Sequence, residues 1–381
     1  MNSTVNINPD NVLQSVESFT NEFVGFVKVT MADGATGWGQ VSTYHSDITC
    51  QVLHRQVAPW LIGKDMTDLD DQLDRVAEHE HKFPGSYLRR AMAGLDTAIW
   101  DMRGKREGKS VCELLGAQPG PLRVYASSMK RDIKPDDEAE RILRLIDKCG
   151  YDAFKFRVGA ECGRNQDEWP GRTEAIVPTI RKAVGDSFDL LVDANSCYEP
   201  ARAIEVGKLL EDHSIGHFEE PCPYWEPEKT REVKEALSVD VSGGEQDCDL
   251  GWWKLLLEMG TVDIAQPDVC YVGGISRALP VASMAAEQNI PVTPHCANLS
   301  LVTLFTAHLL KALPNAGKYL EFSIEEADYY PWQYGLYRND PYVITDSKIT
   351  ISGEPGWGVE IDQQWLHNAS YQKSDQALPA G

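Results

Sequence analysis

Ten ionisable or amide side chains stand at the ends of short apolar runs: Lys155 and Arg157, Asp193 and Asn195, Glu219 and Glu220, Glu245, Asp268, His295 and Glu321. From Asp193 onward the intervals are 26 (193 to 219), 26 (219 to 245), 23 (245 to 268), 27 (268 to 295) and 26 (295 to 321). Surface charges do not keep phase with buried strands, so side chains that do keep phase converge on one mouth. Asp193, Glu219 and Glu245 would then face one point, where three carboxylates repel strongly. A divalent cation removes that cost. Oxygen-only donors favour a hard ion, and Mg²⁺ suits a site that keeps positions open to water and substrate. The alternative is that one or two of these acids cap a following helix. Across the mouth, an Asp268 carboxylate accepting from one nitrogen of His295 fixes the tautomer and raises basicity at the other nitrogen, which makes a general base. A lone His295 would instead be structural. Glu321 can hydrogen-bond a substrate carboxylate as it becomes an enolate, or form a salt bridge at the mouth.

The elements that carry these residues repeat. VYASS, FKFRVG, FDLLVDAN, GHFEEP, VDVSGGE, VDIAQPD, IPVTPH and KYLEFS read as eight short strands, each but the last followed by a helical stretch. Strands buried on both faces and alternating with helices argue for a parallel sheet. Eight such units over some 200 residues predict a closed (β/α)₈-type barrel, whose chemistry sits at the strand ends.

The flanking segments differ. FVGFVKVTMADGATGWGQV reads as two strands around an Asp33-Gly34 turn. In YLRRAMAGLDTAIWDMRGKREG, Met92, Leu95, Ile99 and Met102 form a helical stripe, with Gly104 and Gly108 expected at its end. The expected division is α/β: an α+β capping domain over 1–121, the barrel over 122–324, and a segment over 325–381 that packs back on the cap.

Net charge is 36 − 58 = −22, which disfavours nucleic acid and anionic membranes as partners. No run approaches the roughly 20 apolar residues of a spanning helix, and MNSTVNINPDNVLQ lacks the features of a secretory signal. Nine scattered cysteines without a C-x-x-C pair fit a reducing cytoplasm. Cys197, Cys222, Cys270 and Cys296 read as packing residues at the barrel rim, and His79 and His81 as surface. Gly273-Gly274 reads as a tight turn. AECGRNQDEWPGR is long for a βα loop; its Arg164, Asp167 and Trp169 line a substrate entrance or an oligomer contact.

The ordered set Lys-x-Arg (Lys155, Arg157), VDAN, FEEP, GGEQ, QPDVCYVGGIS and TPHCANLS resembles the enolase superfamily, nearest the mandelate racemase subgroup. GATGWGQV, GLDTAIWDMRGK and LLGA resemble that family's N-terminal capping domain. The resemblance implies that Asp193, Glu219 and Glu245 bind Mg²⁺, with Glu220 a neighbour. It also implies that Asp268–His295 is the base dyad and that Glu321 stabilises an enediolate. The segment Ser18 to Phe23 matches a mobile loop over the substrate. Glu22 there, with Asn195 and Trp169, completes the candidate substrate-binding set.

One departure stands out. Many members carry Lys-x-Lys, the second lysine being a second base. Arg157 stays protonated and makes a poor base. Lys155 and Arg157 therefore contact substrate oxygens, or pair with Asp193 or Glu219 inside the barrel. The expectation is a Mg²⁺-dependent sugar-acid dehydratase that yields a 2-keto-3-deoxy acid, with His295 as base and as acid. Alternatives are a racemase, epimerase or cycloisomerase on the same scaffold, or a non-catalytic metal-binding scaffold. The expected partners are a small acid sugar or hydroxy acid and further copies of the chain.

Overall fold

The structure, a computed structural model, describes residues 9–377. The reading of the extreme N-terminus as lacking a secretory signal falls partly on residues 1–8, outside the described residues.

A four-stranded antiparallel sheet is built from β1 (Leu13–Thr20), β2 (Gly25–Met31), β3 (Thr36–Gln40) and β12 (Ser370–Ser374), in the order β12-β1-β2-β3. The β2–β3 hairpin was legible, whereas β1, with its polar Gln14, Ser15, Glu17 and Ser18, was not. The helix Ser86–Glu107 lies against β3 and buries Met92, Leu95, Ile99 and Met102. The GWG triplet makes this approach possible, because a Cβ at Gly37 or Gly39 would collide with the Ala98 backbone. The helix ends at Gly108, which takes a left-handed φ of 66°. Gly104, expected at the end, lies inside the helix. There its missing side chain leaves room for the Gly356 backbone, which a Cβ at this position would meet at only 2.8 Å.

The second sheet is parallel and follows β4 (Gly120–Ser127), β5 (Ala153–Arg157), β6 (Asp189–Asp193), β7 (His217–Glu219), β8 (Asp240–Gly243) and β9 (Ile264–Ala265). Single bridges Ala265–Val292 and Val292–Ala316 carry it on to β10 (Leu320–Ser323), which pairs with β4 and closes the ring. IPVTPH thus contributes a one-residue strand, as a segment with two prolines must, since proline has no N–H for the ladder. β11 (Lys348–Ile351) adds antiparallel to β4. The chain is therefore α/β, an antiparallel capping sheet beside a barrel-like parallel sheet. Among the described residues no helix is long and apolar enough to cross a membrane. The nine cysteines are free thiols, and Cys197, Cys222, Cys270 and Cys296 are buried.

Candidate active site

Register brings the phased residues together. Ser127 pairs with Lys155, Arg157 with Asp193, and Asp193 with Glu219 across four adjacent strands. These side chains end at the C-terminal mouth of the barrel, almost wholly buried.

Lys155 lies within 2.7 Å of Glu219 Oε2, 2.8 Å of Glu321 Oε1 and 3.7 Å of Asp193 Oδ2. The Arg157 guanidinium pairs with Asp193 and donates to Asn195 Oδ1 at 2.9 Å and the Ser128 carbonyl at 3.0 Å. The ion pairs anticipated inside the barrel are thus both formed. Glu321 also accepts from Ser127 Oγ at 2.7 Å and from the Cys296 N–H at 3.0 Å.

On the other side, His295 Nδ1 meets Asp268 Oδ2 at 2.8 Å, and its Nε2 faces Glu245 Oε2 at 3.3 Å. The other Asp268 oxygen accepts from the N–H groups of Cys270 (2.7 Å) and Tyr271 (3.0 Å), capping the short helix Val269–Val272. With its carboxylate so held, Asp268 fixes the plane of the imidazole.

Charge sets the protonation pattern. Burial works to raise the Glu219 carboxyl, but Lys155, His217 and Arg157 hold it well below its ordinary range. The same contest, won mainly by Lys155 and His295, keeps Glu321 at about 2. Burial would lower His295; Glu245, the hydrogen bond that the ring donates to Asp268, and Glu321 outweigh it and lift the ring to about 10. Burial and Glu219 push Glu245 upward. Five acids (Asp193, Glu219, Glu245, Asp268, Glu321) stand with the cations Lys155 and Arg157, so negative charge is in excess and favours a proton on His295.

The three acids expected to hold a metal ion are each engaged by a positive or protonatable partner here. Among the described residues no three His, Cys, Asp or Glu side chains stand together as a ready cage. Asp193 is drawn to Arg157, Glu219 to Lys155 and Glu245 to His295, because each acid takes the nearest positive partner. The donor set nevertheless fits a hard cation. The three acids sit on consecutive strand ends, carry surplus negative charge, and leave Glu219 Oε1 buried without a hydrogen-bond partner.

Asn195 joins the cluster; Glu22 and Trp169 do not. Glu22 is exposed on the β1–β2 loop, where its carbonyl accepts from the Ser46 N–H. The Trp169 ring packs on Arg172 at 5.3 Å. Arg164 pairs with Glu161 at 3.7 Å, and Asp167 accepts from Thr173 at the start of the next helix. Gly274 opens its helix on Asp96, not on open space. His79 is exposed and stacks on Trp60 at 3.9 Å.

Three neighbours escaped the sequence reading. Ser127 holds Glu321, and its signal was its place at the end of the first barrel strand. His217 Nε2 lies 3.6 Å from Glu219 Oε2, and its signal was the two-residue period of a strand. Arg131 donates to Asn195 Oδ1 at 2.5 Å from a loop without periodicity.

Family models match both parts of the chain. One, "Enolase C-terminal domain-like", covers residues 137–365. The other, "Mandelate racemase / muconate lactonizing enzyme, N-terminal domain", covers 3–116. The chain belongs to the enolase superfamily, in the mandelate racemase/muconate lactonizing enzyme subgroup. A solved structure of a candidate racemase from Roseobacter denitrificans is 65% identical, with a TM-score of 0.95 over 96% of this chain and 100% of that one. A mandelate racemase/muconate lactonizing protein from Paracoccus denitrificans, complexed with magnesium, is 27% identical (TM-score 0.86; 96% and 99% covered). Among curated relatives, D-galactonate dehydratase of Xanthomonas euvesicatoria is 27% identical over 93% of both chains. D-galactarolactone cycloisomerase of Agrobacterium fabrum is 28% identical over 89% of both. As a member of this superfamily the chain is an enzyme.

Proposed function

We propose that this enzyme is a Mg²⁺-dependent hydro-lyase acting on a sugar acid or related hydroxy acid. The observation that carries the reading is the asymmetry of the mouth. One positioned imidazole, His295 on Asp268, faces a side where Lys155 and Arg157 are locked as cations and cannot act as bases.

Asp193, Glu219 and Glu245 would hold the ion, and the relative solved with magnesium supports that assignment. An ion held there would supply positive charge against the substrate carboxylate, and Glu245, as one of its ligands, would bear less on the His295 ring, which favours the neutral imidazole as base. His295 Nε2 then receives the α-proton, and the C–H electron pair becomes the enediolate. Lys155 and Arg157 meet the negative charge that grows on the carboxylate oxygens. Glu321, fixed by Ser127 and Cys296, orients Lys155. The enediolate pair forms the new C–C double bond as the β-C–O bond breaks. The leaving hydroxide takes the proton from His295 and departs as water, and the enol tautomerises to a 2-keto-3-deoxy acid. The nine free thiols fit catalysis in the cytoplasm.

The test is incubation of a panel of mono- and diacid sugars with enzyme and Mg²⁺, reading 2-keto acid formation. The 65% identity to a candidate racemase and the cycloisomerase relative favour a second reading, proton transfer or ring isomerisation without net loss of water. In D₂O that reading puts deuterium on the α-carbon of a product that keeps its oxygen. Such a result, with no 2-keto acid from any panel member, would displace the dehydratase proposal.

A further inference from the structure

Behind the mouth, β7 and β8 and the helices outside them line a small cavity of about 20 Å³. That is on the order of one water molecule. Three oxygens of its lining have no hydrogen-bond partner: Glu220 Oε1, Asp247 Oδ2 and Thr261 Oγ1. Their residues are only 5%, 6% and 2% exposed. The second oxygen of Glu220 has a single long contact, 3.4 Å from Ser196 Oγ. Among the described residues neither Glu220 nor Asp247 has an ion-pair partner, and the rest of the wall is largely apolar, including Leu256 and Val262. Two acids and a hydroxyl that line one largely apolar gap leave buried oxygens unsatisfied, which is costly unless something fills the gap, since buried polar atoms are normally satisfied.

The structure assigns this cavity to a desolvated alkali-metal ion, sodium or potassium, held by Glu220, Asp247 and Thr261. Oxygen-only donors select a hard ion. The space admits one particle without its own water shell, which disfavours Mg²⁺, an ion that dehydrates reluctantly. The site is distinct from the proposed magnesium site but mechanically joined to it. Glu220 follows Glu219, and Asp247 lies two residues past Glu245. An ion here ties together the two strand ends that present those acids.

The experiment is thermal unfolding of the full chain in EDTA, which removes divalent ions, at fixed pH and ionic strength. The chlorides of sodium, potassium and N-methyl-D-glucamine are compared, the last cation being too large to enter. A midpoint about 3 °C higher in sodium or potassium, lost in the Glu220→Gln/Asp247→Asn double variant, supports the site. Equal midpoints in all three salts, or a difference that persists undiminished in the variant, overturn it. Crystals of the wild-type chain soaked in thallium(I) decide the question even if the variant does not fold. An anomalous peak between the three oxygens supports an alkali-ion site. Water density alone, with the carboxyls held by shared protons, refutes it.

Discussion

Two regions of the molecule bury a histidine, and they treat it in opposite ways. At the barrel mouth His295 is flanked by Asp268, Glu245 and Glu321, and the ring is lifted to about 10. At the seam of the capping sheet, His54 sits between the hydroxyls of Ser18 (2.8 Å) and Ser374 (2.8 Å), where burial without a countercharge lowers it to about 4. The solvent exposures are alike, 6% and 5%. Burial therefore does not decide what a histidine is for; the charge of its neighbours does. A ring held by an acid, with its second nitrogen facing the mouth, is equipped to exchange protons. A ring bridging two hydroxyls is equipped to stay neutral and join strands.

Removing the reactive ring breaks the comparison most severely. His295→Asn should abolish α-proton exchange into D₂O, read by NMR, and lower turnover by about 10²–10⁴-fold while the fold stands. Exchange at wild-type rate in that variant would remove His295 from the mechanism. Lys155→Met attacks the opposing side. It strips the cation from Glu219 and Glu321, both fully buried, and should cost about 3–5 kcal/mol in urea unfolding, as well as activity. A variant as stable as wild type would show that Lys155 does not balance those acids.

The mouth was more legible than the seam, for a physical reason. Barrel strands are short and buried, and each ends in one polar residue, so a spacing near 26 shows in the chain itself. Asp193, Glu219, Glu245, Asp268, His295 and Glu321 could be placed that way without coordinates. Which acid pairs with which cation could not, because it depends on side chains from strands distant in sequence. The sequence left Lys155 and Arg157 a choice between Asp193 and Glu219; the structure pairs Arg157 with Asp193 and Lys155 most closely with Glu219. Glu22 and Trp169 lie on loops, where no period constrains direction. At the seam, β1 (LQSVESFT) and β12 (SYQKS) are largely polar without a two-residue alternation and lie 350 positions apart (Thr20 to Ser370), and no local pattern joins them.

Asp268→Asn sharpens the contrast by changing the partner and not the ring. Asparagine still caps the helix Val269–Val272, since it is as good an N-cap as aspartate. Stability should change little. The neutral amide no longer charges the imidazole or imposes its tautomer, so turnover should fall by about 10²-fold. Equal losses of stability and activity would mean that Asp268 serves the helix and not the histidine.

The smallest effect belongs to the seam, and its sign is opposite to that expected of a paired histidine. His54 in the folded chain titrates at about 4, against 6.5 for an ordinary ring. The folded state therefore binds fewer protons than the unfolded chain between those values, and stability must fall as pH drops through the window. Melting followed from pH 7 to pH 4 should show a His54-dependent decline that starts near 6.5. His54→Gln, which can still hydrogen-bond across the seam but does not titrate there, should flatten that part of the profile. Because other buried groups also titrate in this range, the difference between the two profiles is the measurement. If the profiles run parallel, the ring is protonated in the folded chain as readily as in solvent, and the hydroxyl environment of Ser18 and Ser374 does not keep it neutral.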